Sequence, residues 1–239
     1  MRIGTKSLLF GAHCLFIHPL AVAIAWTRLF GPPLDGRLWV AFCVHDLGYF
    51  GKNDLDGAEG KQHVWLGTRL MARLFDAEGL HDHWLFGRLT RLCNWIWGRQ
   101  PEGLSWSEFC LYHSRYFATT TRSTSRLRAA DKLAFAVIPR WLYLTMVRAT
   151  GEIHEYRRNT EPLLSTRSCQ SRDLQSWHRF AFGNLLNHVA HSRFRPESIR
   201  DARFTVLHHC CKWECFFVLP PGEVRKFYGY ENVLRCGKS

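Results

Sequence analysis

Leu38-Trp39-Val40-Ala41-Phe42-Cys43-Val44-His45-Asp46-Leu47-Gly48 is the stretch on which the fold turns. An unbroken apolar run ends on two side chains that bind divalent metal ions well. A run of this length is either a buried strand or a core helix, and periodicity alone does not separate the two. No second strand-like run with hairpin residues lies nearby, so the stretch is assigned to a helix. Working outward, the neighbouring segments read the same way. Pro19 stands where the first turn of a helix has no use for an N–H. Residues 20–30 then form a buried helix stopped by Gly31-Pro32-Pro33. Residues 48–60, rich in Gly, Asn and Asp, read as an ordered loop. Helices are expected over 63–75, 80–97 and 105–117, the last opened by the capping-box pair Ser105 and Glu108. Residues 123–147 are helical with a break at Pro139. Residues 157–173 are polar and read as a linker, 174–191 as an amphipathic helix, and beyond Arg195 no pattern organises the chain. The expected fold is all-α: a helical domain over residues 1–155 and a helical to irregular C-terminal extension over 156–239.

The composition fits a folded chain with a dense core, since 46% of the 239 residues are hydrophobic and 14% aromatic, which excludes disorder throughout. A formal charge of +12 implies anionic partners: phosphorylated small molecules, nucleic acid or an acidic membrane surface. The cations are spread thinly, with no run of five Lys/Arg, so a phosphate-binding cleft is favoured over a nucleic-acid arm. Nine cysteines at irregular spacing, several inside apolar runs, point to a reducing cytoplasm rather than a disulfide framework. His208-His209-Cys210-Cys211 with Cys215 has no zinc-finger spacing. Arg2 and Lys6 ahead of apolar residues 8–26 resemble a signal peptide or membrane span. His13, His18 and Pro19 interrupt that stretch, so no stable membrane insertion and a cytoplasmic location are expected. Nothing in the pattern specifies an oligomeric state.

An adjacent His and Asp can ligate one divalent ion, or the carboxylate can bridge two, if the backbone presents both side chains to one side. Imidazole suits Zn, Fe, Ni or Mn, and carboxylate the harder Mg and Mn. His18, His63, His113 and Asp131 also lie within or beside apolar segments. A polar group buried there without a partner costs roughly 1–3 kcal/mol, and a shared metal would partner all of them. His13, five residues before His18, is expected on another helix face. The acidic loop 51–57 lacks the twelfth-position ligand of a calcium loop. Lys52 and Lys61 on that loop, with Arg115 and Lys132 beside presumed ligands, are the candidate phosphate-binding cations. Arg122 and Arg126 are weaker candidates.

Taken in order, His18, His45-Asp46-Leu47-Gly48, His63, His113-Ser114-Arg115 and Ala130-Asp131-Lys132-Leu133-Ala134 resemble the HD-domain phosphohydrolase superfamily. The resemblance covers about residues 8–150 and is similar to a poorly characterised subgroup. It implies a helical, metal-dependent hydrolase acting on a phosphate ester or anhydride, with a nucleotide as the natural substrate. By that resemblance His18, His45, Asp46 and Asp131 hold one divalent ion. His63 and His113 match the extra histidines of members holding a second, with Asp46 bridging. Two departures stand out: Tyr49 where many members carry Lys, and one histidine at 113 where some carry a pair. The alternative function is a non-catalytic nucleotide- or metal-binding regulatory protein on the same scaffold.

Overall fold

The apolar run 38–44 is helical, and so is everything packed around it. The structure is a computed structural model and describes residues 1–76, 84–98, 100, 102–121 and 124–165, with 174, 175, 177, 178, 181, 182, 185 and 189. In chain order the helices are α1 (Ile3–Phe10), α2 (His18–Phe30), α3 (Gly36–Val44), α4 (Val64–Phe75), α5 (Trp84–Trp97), α6 (Trp106–Leu111), α7 (Arg115–Thr121), α8 (Arg126–Val137), α9 (Arg140–Thr150) and α10 (Glu152–Ser165). Two 3-10 turns, Leu47–Tyr49 and Gly60–Gln62, lie between α3 and α4. No strand occurs among the described residues, and the fold is all-α.

The helix ends follow local chemistry. Asp35 caps α3 by accepting from the Arg37 N–H at 2.9 Å. Ser105 and Glu108 form the expected capping box on α6, Pro19 occupies the first turn of α2, and Pro139 separates α8 from α9. Helix α2 lies along α8, α4 along α6, and α3 packs on both α2 and α4. Trp26, Phe42 and Phe109 interlock between them, with ring centroids 5.6 and 6.0 Å from the indole. Each fully buried aromatic of this kind contributes about 1.5–3 kcal/mol. Arg37 is also buried: it binds Asp35, the Asn94 side chain at 2.7 Å and the Gly98 carbonyl at 2.8 Å, under the Trp106 ring.

Two expectations are corrected. Residues 105–117 are two helices, not one, because the chain leaves α6 at Tyr112 and restarts at Arg115. Residues 157–165 continue α10 rather than starting a linker, so α10 runs unbroken across position 155. Ile153 of α10 and Trp177, Phe182 and Val189 beyond it are buried in the same core as α8 and α9. The apolar stretch 8–26 is split, with α1 ending at Phe10 and α2 starting at His18. Among the described residues no helix is long and apolar enough to cross a membrane. The beginning of the expected 80–97 helix, Arg122, the His208–Cys215 cluster and residues 195–239 lie outside the described residues.

Candidate metal centre

Five of the six predicted ligands sit at helix ends, where the backbone turns and two neighbouring side chains can face one way. His18 is the first residue of α2, His45 and Asp46 follow the last turn of α3, His63 precedes α4, and His113 lies in the turn between α6 and α7. Asp131 is the exception, within α8 where it faces α2. Two glycines let these segments close up. A Cβ at Gly67 on α4 would come within 2.6 Å of the Val44 carbonyl, and one at Gly48 would overlap the carbonyl of His63. Only glycine permits both approaches, and together they bring His63 beside His45-Asp46.

The six side chains form two donor sets that share Asp46. On one side, Asp46 Oδ2 is 3.2 Å from Nε2 of both His18 and His45. Asp131 Oδ1 completes this set at 3.3 Å from His18 Nε2 and 4.0 Å from His45 Nε2. On the other side, Asp46 Oδ1 is 3.5 Å from Nε2 of both His63 and His113, which are 3.2 Å from each other. All six are buried or nearly so.

Backbone carbonyls fix the histidine tautomers. His45 Nδ1 faces the Phe42 carbonyl at 3.1 Å, His63 Nδ1 the Gly60 carbonyl at 2.6 Å, and His113 Nδ1 the Cys110 carbonyl. A carbonyl only accepts, so in each neutral ring Nδ1 carries the proton and Nε2 presents a bare lone pair. Those lone pairs converge on carboxylate oxygens, which repel them. Asp46 Oδ2 is buried and receives no well-aligned hydrogen bond from either nitrogen beside it. A cation resolves both problems. Donors held about 2.0–2.1 Å from a tetrahedral ion lie about 3.3 Å apart, close to the spacings found in both sets. No protein-family model, curated protein or solved structure matches the chain. The donor geometry therefore carries the assignment by itself: a buried His/Asp cluster able to hold metal on an all-α scaffold, compatible with an HD domain.

Charge is balanced closely within the cluster. Burial works against ionised Asp46, but the neighbouring His45 and His13 overcome it and hold the carboxyl well below its usual range. Asp131 is likewise held low against burial, by Lys132 and His18. Burial disfavours a charged His18, yet Asp131 and Asp46 on either side raise it to about 9. His63 goes the other way: burial depresses it to about 3, leaving a neutral ring.

A cleft of about 620 Å³ opens over the cluster, within the roughly 300–1,000 Å³ of small-molecule sites. Lys61, Arg115 and Lys132 line it. Lys132 also holds Asp131 Oδ2 at 2.8 Å, leaving Oδ1 to face the histidines. Lys61 lies over the Tyr116 ring, 5.8 Å from its centroid. Lys52 is not among the lining residues, since its segment folds back on α1, where its carbonyl accepts from the Gly4 N–H at 3.1 Å. Arg126 stacks instead on Phe30. The loop over the cleft is ordered, as expected: Asp54 caps Gly60, and Glu155 of α10 accepts from the Leu55 and Asp56 N–H groups at 2.9 Å.

Two residues of the site escaped the sequence. His13 was expected on another face, but the chain turns at Gly11 instead of continuing as helix. His13 therefore lines the cleft, with Nε2 4.0 Å from Asp46 Oδ2. Tyr49 stacks on His63 with ring centroids 4.2 Å apart, and its other neighbour is His13 at 4.5 Å. The signal for Tyr49 was its place two residues beyond Leu47; for His13 only the interrupted apolar stretch hinted at a turn.

Proposed function

We propose that the chain is a metal-dependent phosphohydrolase that cleaves a phosphate ester or anhydride, with a nucleotide as the substrate class its family resemblance implies. The carrying observation is a single buried carboxylate, Asp46, whose two oxygens face two separate donor sets on the floor of a cation-lined cleft. His18, His45, Asp46 and Asp131 would hold one divalent ion and Asp46, His63 and His113 a second, from among Mn, Fe, Ni, Zn and Mg. Metal bound there supplies Lewis acidity, lowering the pKa of water and drawing charge from phosphate oxygens.

The remaining work falls to the chain. The backbone carbonyls at Phe42, Gly60 and Cys110 keep three imidazoles oriented with Nε2 inward. Lys132 neutralises the outer oxygen of Asp131. Lys61 and Arg115 on the cleft wall receive the phosphate and offset charge that grows as its P–O bond breaks. Tyr49 and Leu55 line the cleft and pack together with Leu8 beside the cluster, Tyr49 stacking on His63.

The test compares wild type with Asp46→Ala for metal content, then for phosphate release from nucleotides and generic phosphate esters with Mn²⁺ added. Bound transition metal and phosphate release, both lost in the variant, support the hydrolase. Equal metal in both proteins refutes the site, and metal without turnover on any ester leaves a binding protein on a helical scaffold.

A further inference from the structure

Among the described residues, His13 is the one histidine at the cluster that the six-residue ligand set does not use. It reaches the cleft from the turn after α1. Its Nδ1 is 2.8 Å from the hydroxyl of Ser7, which is fully buried on α1. Its ring packs against Tyr49, and its Nε2 stands 4.0 Å from Asp46 Oδ2, too far for a direct hydrogen bond.

The difference from the ligand histidines lies in the second ring nitrogen. At His45, His63 and His113 that nitrogen faces a carbonyl, which can only accept, so Nε2 is left bare as a metal donor. At His13 it faces a hydroxyl, which can donate. When the Ser7 O–H donates to Nδ1, the ring proton resides on Nε2 and points an N–H donor into the cleft. His13 is also outside both groups of converging donor atoms.

We infer that His13, oriented by Ser7 and Tyr49, is an anion-contacting hydrogen-bond donor that binds a phosphoryl oxygen of the substrate beside the metal cluster, and is not a metal ligand. This deepens the phosphohydrolase reading and rests on it. Lys61, Arg115 and Lys132 line the same cleft. The arrangement gives the phosphate a directional donor in addition to three cations.

The experiment measures metal content and inorganic phosphate affinity, by calorimetry on Mn²⁺-loaded full-length protein, for wild type, His13→Ala, His13→Gln and Ser7→Ala. Circular dichroism melts confirm that each variant folds. A hydrogen bond to a charged group contributes about 1.5–3 kcal/mol, so His13→Ala should bind phosphate about 10- to 150-fold more weakly at unchanged metal content. His13→Gln, which retains an N–H donor, should recover part of the loss. Ser7→Ala should show a smaller loss of the same sign. Wild-type phosphate affinity in His13→Ala with metal intact overturns this inference alone. Loss of metal in His13→Ala overturns it by making His13 a ligand. Wild type that takes up no metal overturns the metal reading, and this inference with it.

Discussion

In the metal-free chain a proton occupies the place the proposed ion would take. His18 sits between two carboxylates, with Nε2 3.2 Å from Asp46 Oδ2 and 3.3 Å from Asp131 Oδ1. These raise its pKa to about 9 in spite of burial, so at pH 7 the ring is an imidazolium. Metal binding through Nε2 must expel that proton. Below pH 9 the apparent metal affinity is therefore reduced by the protonated fraction, about a hundredfold at pH 7 and about tenfold at pH 8. His63, depressed to about 3, has no proton to lose in this range, so the dependence belongs to the first donor set. Calorimetric titration with Mn²⁺ in two buffers of different ionisation enthalpy should show close to one proton released at pH 7. The dissociation constant should fall about tenfold between pH 7 and 8 and level off above 9. The same proton stabilises the metal-free fold. A pKa raised on folding contributes stability that is complete below about 6.5 and is lost as pH rises through 9. A dissociation constant identical at pH 7 and 8, with no proton released, would refute the reasoning, because either His18 is neutral in the apo chain or it does not bind the ion.

Two further outcomes follow from other residues. Burial raises Glu102 to about 7 despite the Arg126 N–H and guanidinium nearby; the folded chain then holds a proton that the unfolded chain has released, and stability should fall by roughly 2–3 kcal/mol as pH rises from 4.5 to 7. Urea melts at pH 5 and 7.5 check this, and Glu102→Gln should flatten that slope. Gly48→Ala places a methyl group against the His63 carbonyl and should cost about 1–3 kcal/mol, with a matching fall in metal content as His63 is pushed out of place; a variant that melts and loads metal like wild type would contradict the close approach.

Much of the fold was legible because helix signals are local. The apolar run into His45-Asp46, the first-turn Pro19, the Ser105–Glu108 capping box and the break at Pro139 each depend on residues within a few positions of one another. What escaped depends on contacts far along the chain. The polar composition after Arg157 hid a helix because α10 is held by its inner face, with Glu152 buried against the Ala12 N–H at 3.2 Å and the hydroxyls of Thr150 and Tyr156. The split between α6 and α7 follows from tertiary packing that turns His113 inward, which no capping residue announces. The six proposed ligands were readable as an ordered set, and the structure brings all six together. His13 reaches the cleft through a turn at Gly11, and Lys52, although on the loop, is drawn toward α1 by its carbonyl; neither is announced by nearby residues.

The carbonyl anchors behind His45 and His113 separate the aim of a donor from the identity of its neighbours. What steers these rings is main-chain oxygen at Phe42 and Cys110, not the side chains there. Exchange either residue for another that keeps the turn, and the imidazole still points the same way. The orientation of the donors is thus set by the path of the chain, while the Phe42 and Cys110 side chains, both fully buried, serve the core instead. Replacing either one is therefore felt first in packing and stability, and in the direction of the imidazole only if the turn itself gives way.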